Sequence, residues 1–480
     1  MDIHGGIKMK VKSPLEIYNF LPRTNCGECG YDTCMSFAAH IIDRSAKVTQ
    51  CKPLVEDAEK DPTAKEMLDK LIEITSPEIA EVIIGSDDNM VKIGGEEVLH
   101  RHELTFFNPT AFFYDVWDTM DDKDLDDRCS KVVEYKKFYV GQFLTLDGIA
   151  IRCTSNDPKR YREVVKKVAG YGKPMILVCL DAKCMKAALE EVADSKPLIY
   201  AATEENWKEF LKLALDYKVP VTLRSKDLNV LKSMAKTFKE AGVQEIVLDP
   251  VTEPIGEGLR KTYERVIQLR RTAILGEDKD VAYPIMITPL VAWLMDADDI
   301  TKAYWETVIA STFIVKYGDI MIFRSLEPYS VMPLVLLNYN IYTDPRTPVQ
   351  VEAGLREINN PTPDSPVFIT TNFALTYYTV ESDLTSGGIS CWLLVLDTEG
   401  LGVEVSVAGG AFTSDKVKEL IEETGVADKV NHKYLVIPGL AARLAGAIED
   451  DTGWDVFVGP IDSGRIKGWL EKNWPPKPKE

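Results

Sequence analysis

Apolar and polar positions alternate along this chain at two periods. From about Val82, unbroken apolar and β-rich runs occur at 143–153 (FLTLDGIAIRC), 174–180 (PMILVCL), 197–202 (PLIYAA), 219–224 (VPVTLR), 245–250 (EIVLDP) and 320–326 (IMIFRSL). Between them lie stretches such as 204–218 (EENWKEFLKLALDYK) and 228–242 (LNVLKSMAKTFKEAG), whose apolar residues recur at three and four. Runs buried on both faces suit parallel strands, and the 3.6-residue period suits helices that cover them. The number of such units predicts a central TIM-like (βα)8 barrel over 82–341; a doubly wound open sheet permits the same periodicity.

The rhythm breaks at 342–365 (YTDPRTPVQVEAGLREINNPTPDS), a proline-containing polar stretch expected to connect domains. It resumes over 366–480 with four strand candidates, PVFITTNFAL, SCWLLVLDTEG, HKYLVIPGL and WDVFVGP, and with helical patterns between or after them. This predicts a flavodoxin-like or Rossmann-like α/β domain. Each strand ends in a small or polar turn: Thr370-Thr371-Asn372, Asp397-Thr398-Glu399-Gly400, Pro438-Gly439 and Gly459-Pro460. Ligands of open parallel sheets sit outside the carboxyl ends of the strands, so four such turns describe one shelf for a large flat ligand, with Gly409 and Gly410 available for close backbone approach. No Gly-x-Gly-x-x-Gly follows the first strand and no Gly-x4-Gly-Lys-Ser/Thr occurs, which argues against dinucleotides and P-loop nucleotides.

Composition narrows the partners. Lys plus Arg is 56 against 75 Asp plus Glu, a net charge of -19, which repels phosphate backbones and anionic lipid. Neither nucleic acid nor a membrane is an expected partner, and with no secretory leader or long apolar span a cytoplasmic protein is expected. The nine cysteines are odd in number and scattered, which points to metal or catalysis rather than a disulfide framework.

Four of them cluster as Cys26-x2-Cys29-x4-Cys34-x16-Cys51, with Gly27, Gly30 and Lys52-Pro53 alongside. Unequal spacing, with the fourth ligand on a separate loop, suits a [4Fe-4S] cluster better than the repeated knuckles of structural zinc; inert thiols are the third possibility. The segment Tyr31 to Ser45 is expected to be helical, with Asp32 or Thr33 able to cap its start. Cys129, Cys153, Cys179, Cys184 and Cys391 show no ligand spacing and read as incidental thiols. The acidic tract 118–128 (DTMDDKDLDDR) reads as a solvated loop, and residues 1–8 as an extension.

The segment SPLEIYNFLPRTNCGECGYDTCMSFA, with Pro22, Cys-Gly-Glu-Cys-Gly, Cys-x-x-Phe and the distant Cys-x-Pro, resembles the amino-terminal domain of the corrinoid/iron-sulfur protein large subunit, the gamma subunit of archaeal acetyl-CoA decarbonylase/synthase. TTNFALTYYTV, LLVLDTEGL, HKYLVIPG and GWDVFVGP resemble the corrinoid-binding domain of the same family. The resemblance implies a [4Fe-4S] domain over 1–65 ligated by Cys26, Cys29, Cys34 and Cys51, and a corrinoid domain over 366–480. Its implied cofactor contacts are Thr371, Asn372, Thr376, Thr398, Glu399, Gly400 and Leu401; the shelf reading adds Gly409, Gly410, Gly439 and Pro460.

The activity this implies is a Co-methyltransferase, a carrier in the Wood-Ljungdahl system. The methyl moves between an N5-methyl-tetrahydropterin and the nickel site of acetyl-CoA synthase through cob(I)amide and methyl-cob(III)amide. None of His4, His40, His100, His102 and His432 lies in an Asp-x-His-x-x-Gly motif, so a base-off corrinoid is implied. Without an axial nitrogen donor Co(II) is easier to reduce, and the cluster is the reductant that rescues it. Implied partners are the small corrinoid/iron-sulfur subunit (delta) as a heterodimer, acetyl-CoA synthase, the methyl-tetrahydropterin or its methyltransferase, and a low-potential ferredoxin. Whether this barrel binds the pterin stays open, and a ferredoxin-like electron carrier without corrinoid is the alternative. Leu54 to Ala80 and Tyr342 to Ser365 are expected as flexible connections.

Overall fold

The computed structural model describes residues 13–42, 46–86, 89–100, 108–343 and 348–475. Residues 1–8, His4, His102 and the end of the expected first long helix at 43–45 lie outside them. The chain forms two units, Met1–Tyr135 with Thr145–Thr343, and Lys136–Leu144 with Asp344–Glu480.

The first unit opens with four helices, α1 (Pro14–Tyr18), α2 (Cys34–Ile42), α3 (Lys52–Lys60) and α4 (Pro62–Thr75). Thr33 Oγ1 accepts from Ser36 N at 3.0 Å and so caps α2. Leu54, Ala58, Leu68 and Leu71 join Ile17 and Phe37 in one small core. Leu54 to Ala80 is therefore largely helix and not the expected flexible connection. Leu71 is fully buried, which contributes roughly 1.5–3 kcal/mol to docking α4.

A hairpin, β1 (Glu81–Ser86) and β2 (Asn89–Gly94), leads into the barrel. Eight parallel strands follow with their helices: β3 (Ala111–Trp117), α5 (Asp122–Glu134), β6 (Gly148–Arg152), α6 (Pro158–Ala169), β7 (Met175–Val178), α7 (Ala182–Val192), β8 (Leu198–Ala202), α8 (Trp207–Tyr217), β9 (Val221–Arg224), α9 (Leu228–Glu240), β10 (Ile246–Asp249), α10 (Gly256–Ile274), β11 (Met286–Ile287), α11 (Asp299–Ile314), β12 (Ile320–Phe323) and α12 (Pro328–Tyr342). Their order is β10-β9-β8-β7-β6-β3-β12-β11, and a parallel bridge from Leu248 to Ile285 closes the ring. The open-sheet alternative is excluded. Val82, Ile84 and Ile93 of the hairpin pack on Ala111, Phe113, Ile176 and Ile320, plugging the end at which the strands begin. Of the strands, β3 and the two-residue β11 are not among the runs read from periodicity; β11 is too short to show a period.

Between α5 and β6, a second hairpin, β4 (Lys137–Tyr139) with β5 (Gln142–Leu144), leaves the barrel and belongs to the second unit. There Phe138 packs edge-on against Tyr378, centroids 5.6 Å apart. The expected run 143–153 is thus split between the two units.

The second unit is a five-stranded sheet in the order β13-β15-β14-β16-β17. Its elements are β13 (Gly354–Ile358), β14 (Val367–Thr371), α13 (Ala374–Ser386), β15 (Cys391–Leu396), α14 (Val403–Gly409), α15 (Ser414–Thr424), β16 (Tyr434–Ile437), α16 (Ala445–Thr452), β17 (Asp455–Val458) and α17 (Ile466–Asn473). All strands are parallel except β13, which pairs antiparallel with β15. The stretch expected as a plain connection thus contributes an edge strand. Val403, Val417, Leu420 and Ile448 cover one face, and Tyr377, Leu384 and Ile466 the other. No helix among the described residues is long and apolar enough to cross a membrane.

Candidate functional site

The four clustered cysteines converge. Cys26, Cys29, Cys34 and Cys51 line one small cavity together with Asn25, Gly27, Tyr31, Phe37 and Pro53. Cys34 is the first residue of α2 and Cys51 precedes α3, so two helix N-termini, with the positive ends of their dipoles, border the cavity. Asn25 Oδ1 accepts from Cys34 N at 2.9 Å, fixing the loop to the helix. Gly27 and Gly30 have φ of +74° and +87°, and nothing lies within 4 Å of where a Cβ would stand on either. Burial, with the nearby Cys29, Cys34 and Cys26 thiols, pushes the Cys51 thiol up. Four thiols and two positive helix ends suit an anionic metal-sulfur group.

A second concavity lies in the other unit, where the parallel strands end. It is a groove of about 310 Å³, open to solvent, lined by Thr370 of β14, Ile437 of β16, Thr376 of α13 and the Gly459-Pro460-Ile461 turn. In the order β15-β14-β16-β17 the connections that follow the adjacent strands β14 and β16 run in opposite directions, so the groove sits at the topological switch point of the sheet. Leu375, Leu440 and Ile461 on its rim are 50, 41 and 73% exposed, an uncovered apolar surface. Thr370 Oγ1 is buried in its wall and, like that of Thr371, has no hydrogen-bond partner among the described residues.

Of the expected contacts, Thr376 and Pro460 line the groove, and a Cβ on Gly439 would stand 2.8 Å from the backbone N of lining residue Ile461. Asn372 and Thr398 are buried and spent on each other. Asn372 Oδ1 accepts from Thr398 N and Gly400 N, each at 3.0 Å, and the single Thr398 hydroxyl proton is shared between Asn372 Oδ1 and Leu401 O. They position a turn. Gly400 (φ +72°) directs its missing Cβ at Pro348, 2.9 Å away, so a side chain there would strain the turn. Glu399, Gly409 and Gly410 are exposed and outside the groove wall. Thr370, Leu440 and Ile461 are lining residues that the expected set omits; the signal for the last two was an apolar residue directly after a strand-end turn.

The open mouth of the barrel is a third concentration of chemistry. Arg324 stands over Trp117 and Trp293 at 4.7 and 5.0 Å, and Arg152 over Trp117 at 5.3 Å. Buried Asp115 pairs with Arg152 at 2.8 Å and Arg128 at 3.2 Å. Glu306 accepts from the backbone N of Arg324 and Ser325, and burial pushes its carboxyl up to about 7. Asp118, in the acidic tract expected to be a solvated loop, is buried and accepts from Thr154 N at 2.8 Å and Ser155 N at 3.0 Å. The rest of that tract is the capped start of α5, where Asp121 accepts from Lys123 N and Asp124 N.

Residues 81–470 match a family model described as CO dehydrogenase/acetyl-CoA synthase delta subunit, and residues 21–53 one described as "Putative Fe-S cluster". The chain is 79% identical over 469 residues to an acetyl-CoA decarbonylase/synthase complex subunit gamma of Archaeoglobus fulgidus, covering 98% of this chain and 100% of that one. It is 54% identical over 473 residues to the protein of that name in Methanosarcina acetivorans, with coverage of 98 and 100%. The corresponding protein of Methanothermobacter thermautotrophicus is 41% identical over 459 residues, with coverage of 95 and 98%. Among solved structures, a dihydropteroate synthase from Thermus thermophilus aligns with a TM-score of 0.37 and 15% identity, covering 54% of this chain and 100% of that one.

Proposed function

The chain belongs to the family of acetyl-CoA decarbonylase/synthase complex gamma subunits, and on that premise we propose that it is the methyl carrier of such a complex. In this reading the groove of the second unit holds a base-off corrinoid, and Cys26, Cys29, Cys34 and Cys51 hold a [4Fe-4S] cluster. The methyl group moves between an N5-methyl-tetrahydropterin and the nickel site of an acetyl-CoA synthase. The observation that carries the reading is the groove itself: it lies at the switch point, is rimmed by uncovered Leu375, Leu440 and Ile461, and has the unpartnered Thr370 hydroxyl in its wall.

When bound, the corrinoid supplies a reduced cobalt nucleophile that accepts and releases the methyl group. The cluster supplies the low-potential electron that restores oxidised cobalt. The chain's own contribution is binding and orientation. Leu375, Val403, Leu440 and Ile461 would hold the ligand by apolar contact and exclude water from it, while Asn372 fixes the Thr398–Leu401 turn after β15. The sole histidine of the second unit, His432, is engaged with Ser365 O at 3.0 Å and with Tyr434 N at 3.2 Å. It precedes β16, whereas the groove is lined by Val436 and Ile437 at that strand's far end, roughly 13 Å along the chain. This supports a lower face without an imidazole ligand.

The barrel mouth is our candidate for the pterin. Arg152 and Arg324 on Trp117 offer stacking and positive charge to a flat, carboxylated donor. As partners we propose the small delta subunit, which covers the ligand's upper face, the acetyl-CoA synthase, and a low-potential ferredoxin.

The test is electron paramagnetic resonance of anaerobically purified, partly reduced protein together with its metal content. A Co(II) signal without nitrogen superhyperfine splitting, with about four irons per chain, is the expected outcome. Iron without cobalt, unchanged when corrinoid is added back, would leave the electron carrier as the function.

A further inference from the structure

Three of the five cysteines that show no ligand spacing meet in space. Cys153 follows β6 and Cys179 follows β7, adjacent parallel strands in which Arg152 pairs with Val178. The thiols are therefore side by side in register, with Cys153 N bonded to Val178 O and Cys179 N to Tyr200 O, both at 2.8 Å. A short turn then enters α7, whose N-cap Asp181 accepts from Lys183 N and Cys184 N. That turn lays Cys184 against the other two, and the three Sγ atoms all lie within 4.8 Å of one another.

We propose that Cys153, Cys179 and Cys184 form a binding site for one soft, thiophilic divalent cation of the zinc or cadmium type, separate from the N-terminal cysteine cavity. Zinc–thiolate bonds of about 2.3 Å place trigonally arranged sulfurs about 4 Å apart, so closing on a metal needs each sulfur to move by less than about 1 Å. Each thiol sits at the end of a strand or in the first turn of a helix, so the three are already held in place. The surrounding charge favours a cation: Asp118 and Asp181 bear on Cys153 and Cys184. Cys179 and Cys184 are buried and Cys153 is half-exposed, which leaves an entry path and a fourth position for water. Binding replaces the three thiol protons, M2+ + 3 RSH → [M(SR)3]− + 3 H+, with no change of oxidation state.

The test uses the full chain with its N-terminal cluster loaded, titrated anaerobically with Cd2+ and desalted. The expected result is one tightly held Cd2+ per chain with a sulfur-rich cadmium NMR shift. That ion is lost in Cys153→Ser and in Cys184→Ser while iron per chain is unchanged. In the unmutated protein, bound Cd2+ should also protect Cys153 from alkylation, a readout that does not depend on the variants folding. Equal cadmium content in the variants and unaltered alkylation of Cys153 would overturn the proposal. So would isolation of the chain with Cys153 joined to Cys179 as a disulfide that takes up no metal; Cys153 and Cys179 would then be a redox pair.

Discussion

Asn372 Oδ1 lies 3.0 Å from both the backbone N and the hydroxyl of Thr398. One buried amide thus ties the turn after β15 to the turn after β14. Asn372→Ala leaves the N–H groups of Thr398 and Gly400 unpaired in a buried place, at about 1–3 kcal/mol each. We expect a lower unfolding midpoint and cobalt content reduced several-fold. Full cobalt content in a destabilised Asn372→Ala protein would show that the turn does not shape the groove.

The orphan Thr370 hydroxyl gives two effects of opposite sign. Thr370→Val keeps the shape of the side chain and removes a buried unsatisfied group. Cofactor-free protein should gain about 1 kcal/mol in denaturant unfolding, while cofactor retention through gel filtration falls. Gain of stability with undiminished retention would remove Thr370 from the ligand site.

Loss of one cluster cysteine should separate the two units' chemistry. In Cys34→Ala we expect iron to drop and reductive reactivation of Co(II) to disappear, with corrinoid content unchanged, because the cysteine cavity and the groove belong to different units. Corrinoid loss in that variant would break this division of labour.

Glu306 makes the barrel pH-sensitive. Burial raises its carboxyl from 4.5 to about 7, so the folded state binds the proton more tightly than the unfolded state does. The associated stability is complete below pH about 4.5 and declines as pH rises through about 7, by about 3 kcal/mol in all. Glu306→Gln should flatten the fall in melting temperature between pH 5 and pH 8. An unchanged slope would mean that Glu306 is already ionised in the folded protein.

Two kinds of information were legible along the chain. Short-range chemistry was: Cys26, Cys29 and Cys34 fall within nine positions and Cys51 just before α3, so local helix and loop geometry suffices to gather them. Repeated strand and helix periods were too, because burial on both faces of a parallel strand dictates its composition, as in Met175–Val178 and Ile246–Asp249. Other features depended on contacts between distant segments. The edge strand Gly354–Ile358 forms because β15 offers it a ladder, which no propensity in a proline-flanked polar stretch announces. The hairpin Lys137–Leu144 looks like part of the barrel run that follows it, and packing of Phe138 on Tyr378 assigns it elsewhere. Asp118 reads as one more solvated acid until β6 delivers the Thr154 and Ser155 N–H groups to it. Cys153 and Cys179 are 26 positions apart, and only the register of two neighbouring strands makes them a pair. Composition and period record what each residue needs locally; which distant groups meet is set by strand order and register, and these exist only once the sheet has closed.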